Sequence, residues 1–215
     1  FGLIPVLYGA VVCFFFTAVL ECFIRLEHQK SDCSMRIGTI VKEDFSVSIH
    51  FLRWEQPNIL KLLLLAALVS LFVAGTAVVG FPYLVRTALG LSAELYGAAE
   101  SAMGVAAILG SLCVGLFAQK LRPHNLAAIF ISFGICMFPA GIAFGLPVGP
   151  LGKYIILLAM FCICQFGCSI FSTYAISIIQ ARTPEHLMGK VMSYVFTLSM
   201  CAQPIGQIVY GALFD

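Results

Sequence analysis

Long apolar runs broken by short polar turns set the pattern of this chain. Six runs come close to the roughly 20 residues that a helix needs to cross a bilayer: 3–24, 60–83, 94–118, 125–146, 154–179 and 191–214. The second carries only Lys61, at its start, and the third carries Glu94 at its start and Glu100 within it. Core helices of water-soluble domains are shorter and keep a polar face. The pattern therefore predicts an all-α, polytopic membrane helix bundle with six transmembrane helices. One long polar stretch, 25–61, interrupts it. There Phe45, Ile49 and Leu52 fall at i, i+4 and i+7, an apolar helical face, which Pro57 and Asn58 end. This spacing predicts a short helix over 43–56 lying on the membrane surface, with Trp54 near the headgroups; a plain solvated linker is the alternative.

Composition sharpens the class. Hydrophobic residues make up 61% of the 215 and charged residues 10%, against about 25% charged in a soluble domain. So few charges cannot solvate a surface in water, so lipid is the expected solvent. A net charge of +2 excludes nucleic acid as an expected partner. Of the nine cysteines, eight lie inside apolar runs, where thiols act as small hydrophobes. No disulfide framework, metal site or cofactor is expected, although Cys162, Cys164 and Cys168 are close together. The chain opens on Phe1 with no basic leader and closes at Phe214-Asp215 on another apolar run. A piece of a longer protein, lacking some helices of the same chain, is expected.

The charges are placed unevenly. Ten of the twelve Lys and Arg sit in three regions: Arg25, Lys30, Arg36, Lys42, Arg53 and Lys61; Lys120 and Arg122; Arg182 and Lys190. The two regions that alternate with them hold Arg86 and Lys153. Basic loops stay cytoplasmic, so the first helix runs outside to inside and Asp215 ends outside. All four histidines (His28, His50, His124 and His186) fall in the expected cytoplasmic segments. No nucleophile and base converge inside the membrane, so the chain is not expected to be an enzyme.

Lipid does not press helices together, so close packing needs small residues. In the third run Gly97, Ser101, Gly104, Ala107, Ser111 and Gly115 form such a stripe. Ser92 is the expected N-cap, and Glu94 suits the helix dipole. Glu100 borders the stripe about 10 Å from the outer end at 1.5 Å per residue. It reads either as a proton-titrating group facing a cavity or as a carboxyl bonded to a neighbour. In the fifth run Gln165, Ser169, Ser172 and Thr173 share a face, either lining a substrate path or joining helices. In the sixth, Pro204 predicts a kink beside Gln203, Gly206, Gln207 and Gly211; Pro139 predicts a weaker one in the fourth. Glu21 and Arg25 suit an interfacial ion pair.

Three stretches carry a family resemblance. Gly115-Leu-Phe-Ala-Gln-Lys-Leu-Arg-Pro-His124 resembles the Gly-x-x-x-Asp-Arg-x-Gly-Arg-Arg loop of the major facilitator superfamily. Gln180-Ala-Arg-Thr-Pro-Glu-His-Leu-Met-Gly-Lys-Val191 resembles its Gln-x-x-x-Pro-x-x-x-x-Gly-Arg-Val loop. Gln203-Pro-Ile-Gly-Gln-Ile-Val-Tyr-Gly-Ala-Leu-Phe-Asp215 is similar to the Pro-x-Gly…Gly-x-x-x-Asp helix of the drug-efflux branch, which includes macrolide and siderophore exporters. The first loop departs from the pattern at Gln119, Lys120 and Arg122, where the family has Asp, Arg and Gly; the second has Lys190 for Arg. Thr183-Pro184-Glu185 also reads as N-cap, first-turn proline and first-turn acid.

The resemblance implies that residues 1–25 are the last helix of an N-terminal half and 26–59 the cytoplasmic linker. It makes 60–215 a C-terminal half without its final helix, in a multi-pass plasma-membrane protein. It implies alternating access about a midplane site and export of amphipathic small molecules by proton antiport. Glu100, Gln165, Ser169, Thr173, Gln203 and Gln207 are the candidates for the substrate and proton pathway. Gly97, Gly104, Gly115, Lys120, Arg122, Gly189, Lys190, Pro204 and Gly206 are the candidates for packing and gating. A siderophore or metabolite carrier on the same fold and a non-transporting membrane protein are the competing readings.

Overall fold

The computed structural model describes residues 3–23, 53–54, 56–117, 131, 134–135, 138–139, 141–142, 144–145 and 147–214, and every regular element among them is helical. Of the interfacial helix expected over 43–56, only Arg53 and Trp54, in a helical turn, and Gln56 are described; Arg25 of the expected Glu21–Arg25 pair, Lys120, Arg122 and much of the run 125–146 lie outside the described residues. Residues 131, 134, 135, 138, 139, 141, 142, 144 and 145 are helical, Pro139 among them. Two compact units divide the chain, Phe1–Lys42 and Glu43–Asp215.

The first unit holds α1, Leu3–Cys22. Its described side chains from Ile4 to Phe23 are all exposed, as a helix solvated by lipid requires. The Thr17 hydroxyl donates to the Cys13 carbonyl at 2.9 Å, so it needs no partner from outside.

In the second unit, α2 opens with Pro57 in its first turn and runs to Ala74, where Pro has no N–H to lose. The helix then widens into π-helical turns over Gly75–Gly80 and Tyr83–Ala88. Pro82 lies between them. Its ring would strike the carbonyl four residues back in an α-helix, and it has no N–H to donate; a wider turn relieves both. Gly90, at φ 64°, ends the segment in the left-handed region. Helix α3 spans Ala93–Phe117, α4 spans Pro150–Arg182 and α5 spans Glu185–Phe214. Among the described residues four helices are long and apolar enough to cross a membrane: Ile4–Cys22, Pro57–Ala88, Ala93–Phe117 and Pro150–Arg182. Helix α5 has the length, 30 residues, and is the more polar for Gln203 and Gln207.

Three apolar clusters fix the direction of each helix. Ile59 and Leu63 from the start of α2 meet Ile179 from the end of α4 and Leu187, Val191 and Val195 from the start of α5. At the opposite end, Phe81 and Val85 meet Ala99 and Met103 of α3 and Tyr154, Leu157 and Phe161 of α4. Between them Val114 packs with Phe171, Tyr174 and Ala175. Thus α2 and α5 run one way, and α3 and α4 run the other.

Two glycines make the α2–α5 crossing. A Cβ on Gly206 would collide with the backbone carbonyl of Leu71, and one on Gly75 would lie 2.8 Å from the Gly206 carbonyl oxygen. No side chain fits where two backbones touch.

Candidate functional site

A cavity of about 300 Å³ opens in the second unit. Leu68, Val69, Phe72, Val73, Thr76 and Ala77 line it from α2, across the change from α to π geometry. Phe161, Cys164, Gln165 and Cys168 line it from α4, with Gly134 and Tyr210 completing the wall. Both helices meet it near the middle of their lengths, so it sits at mid-span depth. The lining is almost wholly hydrocarbon, with the Gln165 amide set into it, and this matches the common build of small-molecule sites.

The polar face of α4 divides. Gln165 reaches the cavity. Ser169 and Thr173 join α4 to α3 instead. The Ser169 hydroxyl donates to the Ala107 carbonyl at 2.6 Å and lies 2.7 Å from Ser111 Oγ. Thr173 Oγ1 lies 3.3 Å from the same Ser111 oxygen. Each hydroxyl has one proton. With that of Ser169 committed to Ala107, Ser111 donates to Ser169 and Thr173 donates to Ser111. The Tyr154 hydroxyl adds a further link, donating to the Leu95 carbonyl at 2.8 Å. Between the two readings of this face, these contacts give Ser169 and Thr173 a joining role.

Glu100 is exposed on α3, and its Oε1 accepts a hydrogen bond from the Tyr96 hydroxyl at 2.8 Å, one turn earlier. Tyr96 in turn lies 5.9 Å, centroid to centroid, from Phe81, which is 4.8 Å from Phe161 at the cavity wall. Glu100 itself does not line the cavity.

The expected stripe on α3 is used only in part. Ala107 and Ser111 touch α4. Among the described residues nothing approaches within 4 Å of a Cβ built on Gly97, Gly104 or Gly115. The buried face instead runs through Ala99, Met103, Gly110 and Val114. At Gly110 a Cβ would lie 2.5 Å from the Phe166 carbonyl oxygen, which makes it the tight point of this crossing.

On α5, Pro204 lies inside the helix, with Gln203 exposed and Gln207 half-buried; neither lines the cavity. Gly206 is buried at the α2 crossing. Gly189 is open and Lys190 half-buried near the start of α5. Ser92 caps α3 as expected, accepting from Leu95 N–H at 3.4 Å, with Glu94 in the first turn. Thr183 is a correction: its buried hydroxyl donates back to the Ile179 carbonyl at 2.6 Å. It closes α4 rather than capping α5, because the Thr183 N–H turns to the Gln180 carbonyl at 3.4 Å and leaves the Ile179 carbonyl without its usual N–H.

Gly75, Gly110, Tyr96, Thr76 and Tyr210 were not expected from the pattern. The glycines had a signal, since a glycine inside an apolar run marks a close approach; Tyr96 had one in its i, i+4 spacing from Glu100.

The family description that matches is the Major Facilitator Superfamily, over residues 2–207. No curated protein and no solved structure matches the sequence. Apolar helices of membrane length, an all-helical bundle and a match over nearly the whole chain agree, and the chain belongs to the Major Facilitator Superfamily.

Proposed function

We propose that the protein is a secondary active transporter of the plasma membrane that exports amphipathic small molecules by alternating access, with protons as the coupling ion. The superfamily makes it a membrane transporter; the cavity at mid-span, walled by α2 and α4, is the observation that carries the rest. Alternating access needs a site near the midplane that either side can reach, and an apolar wall suits cargo that is itself largely apolar. The motif correspondence supports the drug-efflux branch and gives residues 3–24 and 60–214 the places of the sixth to eleventh helices. It leaves the linker and the Lys- and Arg-rich turns on the cytoplasmic side.

Glu100 is the group proposed to exchange the proton. It lies seven residues into α3, about 10 Å along the axis, where a carboxylate is costly unless paired or wetted. The Tyr96 hydroxyl supplies one partner. Accumulation of a fluorescent amphipathic dye in cells expressing the full-length protein tests the reading. Accumulation falls in energised cells and recovers when a protonophore collapses the gradient. Glu100→Gln removes the response to external pH while membrane yield is retained. Equal accumulation with and without the protein rejects export, and an unchanged pH response removes Glu100 from the mechanism.

A further inference from the structure

The chemistry of the cavity wall defines its cargo more narrowly. Most of the lining is hydrocarbon, and the polar groups are unequal. The Thr76 hydroxyl already donates to the Phe72 carbonyl at 2.7 Å, and Tyr210 and Cys164 have interactions within the fold. A thiol such as Cys168 is a weak donor. That leaves the Gln165 amide, which has no hydrogen-bond partner among the described residues. No buried side-chain nitrogen or oxygen lacks a partner among the described residues, so this amide is open to the cavity, where a ligand group can take the place of water on it. Among the described residues no charged side chain lines the cavity. The run 125–146, which supplies Gly134, contains no Lys, Arg, Asp or Glu. A fixed cation here would lose its water with no carboxylate to replace it.

We infer that the cavity binds uncharged lipophiles carrying a carbonyl, amide or hydroxyl group, with Gln165 as the residue that grips that group, and that it rejects their permanently cationic counterparts. This narrows the export reading above and rests on it only for the step after binding.

Equilibrium binding to the purified full-length protein tests it with a matched pair of probes. One is tritiated para-dimethylaminobenzophenone, a ketone uncharged at neutral pH; the other is its quaternary trimethylammonio analogue. The neutral ketone binds, and the quaternary salt binds at least about tenfold more weakly, the loss expected from an unpaired buried charge. Gln165→Met keeps the volume and removes the amide; it weakens binding of the ketone about three- to tenfold, the worth of one neutral hydrogen bond. Gln165→Leu serves the same purpose should the Met variant fold poorly, and Gln165→Glu shifts the preference toward the quaternary salt. Equal or tighter binding of the salt by the wild type overturns the inference, as does ketone binding that ignores Gln165→Met, or no binding of either probe. Efflux of the ketone from cells separates the two claims. Binding that depends on Gln165 without efflux leaves the inference standing and rejects export. Efflux with binding indifferent to Gln165 does the reverse.

Discussion

Whether a glycine matters in this bundle depends on what stands opposite its Cα. Gly206 faces the Leu71 backbone and Gly110 faces the Phe166 carbonyl. Backbone cannot move aside as a side-chain tip can, so a methyl group there forces the helices apart. Gly206→Ala and Gly110→Ala are each expected to destabilise by about 1–3 kcal/mol, the usual cost of overpacking. Gly104→Ala meets nothing within 4 Å among the described residues and should leave the melting temperature unchanged or slightly raised. Scanning fluorimetry of the purified variants separates the two groups; a large loss at Gly104 would show a neighbour on that face. Ser169→Ala removes a donor to Ala107 and an acceptor for Ser111, and a loss of about 0.6–2 kcal/mol is expected for a hydrogen bond between membrane helices. At this scale the sequence was only partly legible. Helical spacing groups Gln165, Ser169 and Thr173 on one face, and the structure divides them between the cavity and α3. Spacing could not say which would meet a cavity and which would meet α3, because that depends on where the neighbour's backbone lies. Nor does periodicity tell why Leu68 lines the cavity and Leu64, equally exposed, does not.

Helices were far more legible than contacts, because bilayer thickness imposes a length that apolar runs must match. The end of α1 at Cys22 and the start of α3 at Ala93 fall within two residues of the bounds expected from the runs 3–24 and 94–118. The reading fell short where hydropathy is blind. Pro57 starts α2 one turn early because proline suits the first turn. The same helix continues past residue 83 as its wider turns carry it to Ala88, with the Arg86 guanidinium donating to the Leu91 carbonyl at 3.1 Å. In α5 the helix begins at Glu185, well before the apolar run, since chain direction is set by the sharp turn at Pro184 and not by hydropathy. Capping was legible: Ser92 accepts from Leu95 N–H. Ser92→Ala should cost about 0.5–1 kcal/mol, the lower part of the range for a lost cap, given a bond of 3.4 Å. Amide hydrogen exchange at residues 93–96 should quicken while the middle of α3 stays protected. Uniform loss of protection along α3 would argue against local capping.

For the molecule as a whole, charge and packing point the same way independently. Charge placement alone assigned Lys61, Arg182 and Lys190 to one side of the membrane and Arg86 and Lys153 to the other. The apolar clusters make the same division without reference to charge. One gathers the start of α2, the end of α4 and the start of α5, beside the first three cations. The other gathers the end of α2 and the starts of α3 and α4, beside the last two. Lys153 is anchored there, donating to the Phe144 carbonyl at 3.1 Å with its ammonium 5.8 Å from the Phe144 ring centroid. The proposal that the first end is the cytoplasmic one rests on the excess of basic residues, since such loops resist translocation. Arg86 and Arg182 are both exposed and suit a direct test. In the full-length protein freed of its other cysteines, Arg86→Cys should react with an impermeant maleimide in intact cells. Arg182→Cys should react only once the membrane is permeabilised. The reverse result would place the basic turns outside and take the linker from the cytoplasm. Equal labelling of both in intact cells would mean that the two ends do not lie on opposite sides of one membrane, and a mid-span cavity reached alternately from each side would lose its basis.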